Sequence, residues 1–102
     1  MKKTKKLAPI TPGEMLRDVL QAAGLTANAA ALKMRVPNNR LNGILNGQRA
    51  VTPDTALRLA RLFGTSAEMW LSLQLKYDLE TAEDELGERI EREVETLGGE
   101  AA

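Results

Sequence analysis

Ala27-Asn28-Ala29-Ala30-Ala31-Leu32-Lys33-Met34-Arg35-Val36-Pro37-Asn38-Asn39-Arg40-Leu41-Asn42-Gly43-Ile44-Leu45-Asn46-Gly47 contains two short helical patterns with three residues between them. Thr26 stands where a hydroxyl caps the first pattern, Ala27 to about Met34. Its alanines let a neighbouring helix approach closely. Met34-Arg35-Val36 is the turn. Pro37 opens the second pattern, Asn38 to about Leu45, and Asn46-Gly47 ends it with turn chemistry. Ala31 is the small residue at the expected crossing. Val36, Leu41, Ile44 and Leu45 supply the inner side.

The outer side of the second pattern reads Asn38, Asn39, Arg40, Asn42 and Gly43. Three asparagines in a two-turn helix lower its intrinsic stability by up to ~0.7 kcal/mol each. Asparagine bonds adenine bidentately in the major groove and arginine bonds guanine, so a helix-turn-helix with this face is suited to reading DNA. Asn38 and Asn39 also suit service at a helix N-terminus, and that alternative stands beside base contact. With Arg35 of the turn and Arg49 just beyond the helix, these seven residues form the candidate DNA-binding set.

Outward from this core the helix signals continue. Thr11-Pro12-Gly13-Glu14 is a capping box with proline at the first helical position. Met15, Leu16, Val19, Leu20 and Ala23 follow as an apolar stripe, and Gly24 closes the helix. Thr52-Pro53-Asp54 starts a fourth helix with Ala56, Leu57, Leu59, Ala60 and Leu62, closed by Gly64. Thr65 or Ser66 caps a fifth, whose Glu68 suits the helix dipole. From Ala67 to Leu97 there is no proline and Gly87 is the single glycine. Met69, Trp70, Leu73 and Tyr77 make one stripe, with Trp70 read as core rather than a partner-binding anchor. Leu86, Ile90, Val94 and Leu97 make another. One long helix and two joined near Gly87 are both open. No strand pattern appears. The expected architecture is all-α: five helices, with a C-terminal helical extension.

The formal net charge of zero hides a division. Residues 1–64 hold eleven Lys/Arg against three Asp/Glu, a surplus of eight positive charges; residues 65–102 hold the reverse numbers. Such asymmetry points to a nucleic-acid-facing part and an acidic part with another task. The domains expected are a basic flexible arm over 1–9, a DNA-binding domain over 10–80 and an acidic helical extension over 81–102. Glu83-Asp84-Glu85 reads as a solvated face, since adjacent carboxylates on a helix diverge and no calcium-loop spacing is present. Absence of cysteine removes disulfides and thiolate metal sites, and absence of histidine removes the usual general base near neutral pH. No cofactor, metal or catalytic residue is expected. No apolar run approaches the ~18 residues of a membrane span, and no signal peptide is seen. The expected location is the cytoplasm.

The chain resembles the XRE-type, lambda-repressor-like helix-turn-helix family, and within it the HigA-type antitoxins. The stretches that carry this are Ile10-Thr11-Pro12-Gly13-Glu14, Val36-Pro37-Asn38-Asn39-Arg40-Leu41, Asn46-Gly47-Gln48-Arg49 and Thr52-Pro53-Asp54-Thr55-Ala56-Leu57-Arg58-Leu59-Ala60. Phe63-Gly64-Thr65-Ser66-Ala67-Glu68-Met69-Trp70-Leu71, running on to Tyr77-Asp78-Leu79, is the most diagnostic of the HigA branch. The resemblance implies an antitoxin that binds double-stranded operator DNA as a homodimer, represses its own operon and neutralises a RelE-like, HigB-type mRNA-cleaving toxin. A free-standing XRE-type repressor without a toxin is the alternative, and a pure interaction module that has lost DNA binding is a third. Leu86, Ile90, Val94 and Leu97 are the expected dimer interface. The toxin surface is either the acidic C-terminal helix or the first helix around Glu14, Arg17, Asp18 and Gln21. The chain departs from the family in three places. Arg35 stands where a turn glycine is usual, Ala30 where a leucine is frequent, and Ala27 where a phosphate-touching glutamine is common.

Overall fold

The computed structural model describes residues 10–99 of the 102-residue chain. The expected basic arm over 1–9 lies outside them. Five helices follow in order: α1 Pro12–Ala23, α2 Ala27–Met34, α3 Asn38–Leu45, α4 Pro53–Phe63 and α5 Ala67–Glu93, with a single 3-10 turn at Leu97–Gly99. There is no strand among the described residues. The all-α five-helix expectation holds, and α5 is one helix, with Gly87 inside it.

Each boundary has a local cause. The Thr11 hydroxyl accepts from the Glu14 amide at 3.0 Å, and the Glu14 carboxylate accepts from the Thr11 amide at 3.2 Å. Both halves of the capping box are thus made. The Thr26, Thr52 and Ser66 hydroxyls cap α2, α4 and α5 with the first half alone, accepting from the Ala29, Thr55 and Met69 amides. Gly24 and Gly64 end α1 and α4 in the left-handed conformation. Arg35 ends α2 with φ 61° and ψ 44°, the only positive φ at a non-glycine residue among those described.

Leu16, Leu20, Ala30, Ala31, Met34, Leu41, Ile44, Val51, Ala56, Leu59 and Trp70 form one buried core drawn from all five helices and the α3–α4 loop. Trp70 is fully buried and its indole N–H donates to the Thr65 hydroxyl at 2.8 Å. The core reading of Trp70 therefore holds, with its polar edge satisfied. Ala30 and Ala31 are both buried, so the alanine run of α2 is the packing face. The α3–α4 loop is pinned where the Val51 amide donates to the Gln74 side chain at 2.8 Å.

Leu57 of α4 is exposed, because Ala56 and Leu59 take the core side of the helix. One expectation needs correction. The stripe expected to run at helical spacing to Leu97 is broken. The helix ends at Glu93, Val94 is extended, and Leu97 lies in the separate 3-10 turn.

Candidate nucleic-acid interface

Helix α3 is set by what lies beneath it. Leu41 and Ile44 are buried and Leu45 half-buried, while Asn38, Asn39 and Asn42 on the outer side are exposed. Below its last turn passes α1. A β-carbon at Gly13 would lie 2.5 Å from the Ile44 carbonyl oxygen, 3.1 Å from that of Leu45 and 3.3 Å from Leu45 Cα. The missing side chain of Gly13 therefore fixes how close α1 and α3 come. In the sequence alone Gly13 stands out only as part of a capping box.

The outer amides differ in what they hold. Asn38 Nδ2 donates to Asn28 Oδ1 at 3.0 Å, joining the start of α3 to α2. Asn42 Nδ2 donates back to the Asn38 carbonyl at 3.1 Å. Neither amide caps α3; Pro37 is the N-cap and makes no side-chain bond there. Asn39 makes no side-chain hydrogen bond among the described residues and is the amide most open to an incoming group.

Gly43 and Arg49 form a unit. The Gly43 carbonyl accepts from the Gln48 amide at 2.8 Å and from the Arg49 amide at 3.1 Å, which folds the chain back over α3. A β-carbon at Gly43 would meet Arg49 Cβ at 3.0 Å, Nε at 3.4 Å and Cδ at 3.5 Å. The bare surface of Gly43 is where the Arg49 side chain lies along α3.

Arg40 is half-buried and already engaged. Its Nη1 donates to Asp54 Oδ2 at 2.7 Å. Arg58 Nε lies 3.2 Å from both oxygens of the same carboxylate, and Arg58 Nη1 donates to the Met34 carbonyl at 2.8 Å. Arg58, then Arg40, hold the Asp54 carboxyl below the usual carboxylate range. The pair thus stays charged at neutral pH, and its contribution is lost only as pH falls through that depressed value. In the sequence Asp54 reads only as part of the fourth-helix start and Arg58 as one basic residue of the DNA-facing half; nothing there pairs them with each other or with Arg40.

Arg35 is exposed in the turn. A left-handed non-glycine residue costs roughly 1 kcal/mol, a strain that suits retention of a basic group at a functional surface. Arg35→Gly is expected to raise the unfolding midpoint by up to that amount in free energy. If Arg35 meets a phosphate, the substitution also lowers the slope of log affinity against log salt by about 0.9. Chemical denaturation and salt-titrated binding check both halves. The face as a whole carries amide donors and acceptors and guanidinium donors, the groups a duplex groove and its phosphates match. Among the described residues no acidic cluster is arranged to hold a metal, and no helix is long and apolar enough to cross a membrane.

A family profile described as helix-turn-helix matches residues 16–70. Virulence-associated protein I of Dichelobacter nodosus is 46% identical over 81 residues, covering 78% of this chain and 75% of that protein. The solved addiction-module antidote protein of the HigA family from Coxiella burnetii is 45% identical with TM-score 0.81, covering 88% of this chain and 99% of the other. The Pseudomonas aeruginosa antitoxin HigA, solved with the higBA promoter, is 42% identical with TM-score 0.83, covering 87% and 98%.

Proposed function

Since the chain belongs to the helix-turn-helix family, in its HigA antitoxin branch, we propose that it is a DNA-binding antitoxin that represses its own operon and neutralises a RelE-like toxin. The observation that carries the DNA half is the outer face of α3, with Asn39 open, Asn38 and Asn42 beside it, and Arg49 laid along the helix over Gly43. The relative from P. aeruginosa was solved with promoter DNA. In this reading residues 10–80 bind the duplex. Asn38, Asn39, Arg40, Asn42 and Gly43 face the groove, and Arg35 and Arg49 flank it near the phosphates. The arm over 1–9 adds a further basic contact.

The toxin half rests on charge. The acidic surplus of residues 65–102 falls largely on the exposed part of α5, and phosphate repels it, whereas a basic, RNA-handling protein suits it. Residues 81–102 form the extension that meets this partner or a second copy. Repression needs two recognition helices about one duplex turn apart, hence a homodimer. A DNA-binding antitoxin acts by occupancy, so no catalytic group is assigned.

The test uses the DNA immediately upstream of the protein's own coding sequence. Asn39→Ala weakens binding to it by ~1–3 kcal/mol for a lost bidentate base contact, with helicity unchanged. Full affinity in that variant overturns the assignment of α3 as the reading helix. Co-expression with the neighbouring gene's product yields a stable complex; an antitoxin that purifies alone returns the reading to a free-standing repressor.

A further inference from the structure

We infer that Asp54 is a positioning residue for DNA reading: it holds the Arg40 guanidinium so that one complete edge is presented to a guanine in the operator. The inference rests on the assignment of α3 as the reading helix and adds how its arginine is aimed. Arg40 gives a single nitrogen, Nη1, to Asp54 at 2.7 Å. No protein group among those described takes the other edge, formed by Nε–H and Nη2–H. That edge is a two-donor fork, and guanine offers two acceptors, O6 and N7, in the major groove. A guanidinium pinned at Nη1 keeps the fork and loses much of its rotational freedom before DNA arrives, which lowers the entropy lost on binding.

The anchor is itself fixed. Asp54 is in the first turn of α4, held by Arg58 Nε at 3.2 Å from each carboxylate oxygen. Arg58 is tied through Nη1 to the last carbonyl of α2, that of Met34, at 2.8 Å. The chain from Met34 through Arg58 and Asp54 to Arg40 therefore joins α2, α4 and α3. A carboxylate in that position also repels phosphate wherever Arg40 fails to find its guanine, so it weakens binding to unrelated DNA.

The probe is the upstream duplex against a scrambled duplex of equal length and composition, bound by the full chain, with Asp54→Asn, Arg40→Ala and the double variant. Asp54→Asn is expected to lower the ratio of the two affinities about tenfold, the size of one charge-assisted hydrogen bond, while the salt slope for the upstream duplex does not fall. The double variant is expected to be no worse than Arg40→Ala alone. Asp54→Glu keeps the charge, displaces the carboxylate by one methylene and lowers the ratio in the same direction, so it serves if the asparagine variant melts early. An unchanged or raised ratio in Asp54→Asn overturns the inference, because Asp54 is then idle or competes with DNA for Arg40. Effects that multiply in the double variant also overturn it, because Asp54 then acts through helix packing alone. If Arg40→Ala leaves the ratio intact while the wild type binds the upstream duplex, base reading by Arg40 fails but DNA binding by the chain stands.

Discussion

Gly13→Ala is expected to destabilise the domain by about 1–3 kcal/mol, the range for overpacking a filled interior, and to weaken operator binding beyond the loss of folded protein. The usual sign is the reverse. Alanine in a helix is favoured over glycine by roughly 0.5–1 kcal/mol, and Gly13 is in the first turn of α1 with no positive φ. What overrides the preference is the 2.5 Å approach of the new β-carbon to the Ile44 carbonyl oxygen, with Leu45 backbone atoms at 3.1 and 3.3 Å. All three obstacles are backbone of α3, so no rotamer change relieves the clash, and α3 must move relative to α1. Gly87→Ala is the internal control. It is inside α5, a β-carbon there meets nothing within 4 Å, and the substitution is expected to stabilise. Denaturant unfolding of both variants gives opposite signs. A stabilised Gly13→Ala protein with normal DNA affinity means that α1 and α3 have slack this structure does not show.

That contrast marks which features could be read from the sequence. Helix boundaries were legible because caps act over three or four residues: Thr11 with Glu14, Thr26, Thr52, Gly24 and Gly64 all signal locally. The left-handed Arg35 was legible too, since a glycine is usual there in the family it resembles. What a residue meets across the fold left no such signal. Gly13 and Gly43 are both glycines in helices, yet one admits a helix backbone and the other an arginine side chain. The Arg40–Asp54 pair spans fourteen positions and two helices, and nothing near Arg40 announces it. Periodicity also misled at α5. Val94 and Leu97 continue the spacing of Leu86 and Ile90, but the helix ends before them. Leu75 and Leu79 precede that stripe and were not read as part of it. They are 66% and 54% exposed, a face left open for another surface.

Leu86→Glu with Ile90→Glu is expected to give a monomer that folds normally and binds the operator about 10²–10⁴-fold more weakly. Leu75, Leu79, Ala82, Leu86 and Ile90 follow one another at spacings of three and four, hence one face of α5. Trp70, in the core, and the half-buried Leu73 and Tyr77 lie on the opposite side of the helix. The open stripe is therefore not needed to hold α5 on its own domain. Beyond Leu79 the helix is largely exposed, and an isolated helix of that length is marginal in water. Its regular continuation to Glu93 is better explained by a partner on the stripe, with the acidic residues left on its flanks for solvent or a basic protein. A second copy satisfies both the stripe and the operator. In the proposed homodimer a two-fold axis would pair the same apolar face with itself and supply the second DNA-reading helix. Severing that pairing converts one bivalent binder into two single ones, and the lost avidity sets the expected range. Charges introduced at Leu86 and Ile90 bear on the pairing while sparing the buried core, so thermal unfolding of the monomer remains cooperative. Light scattering at micromolar concentration decides it. A wild-type chain of monomer mass, or a double variant that stays dimeric, removes the stripe as the interface.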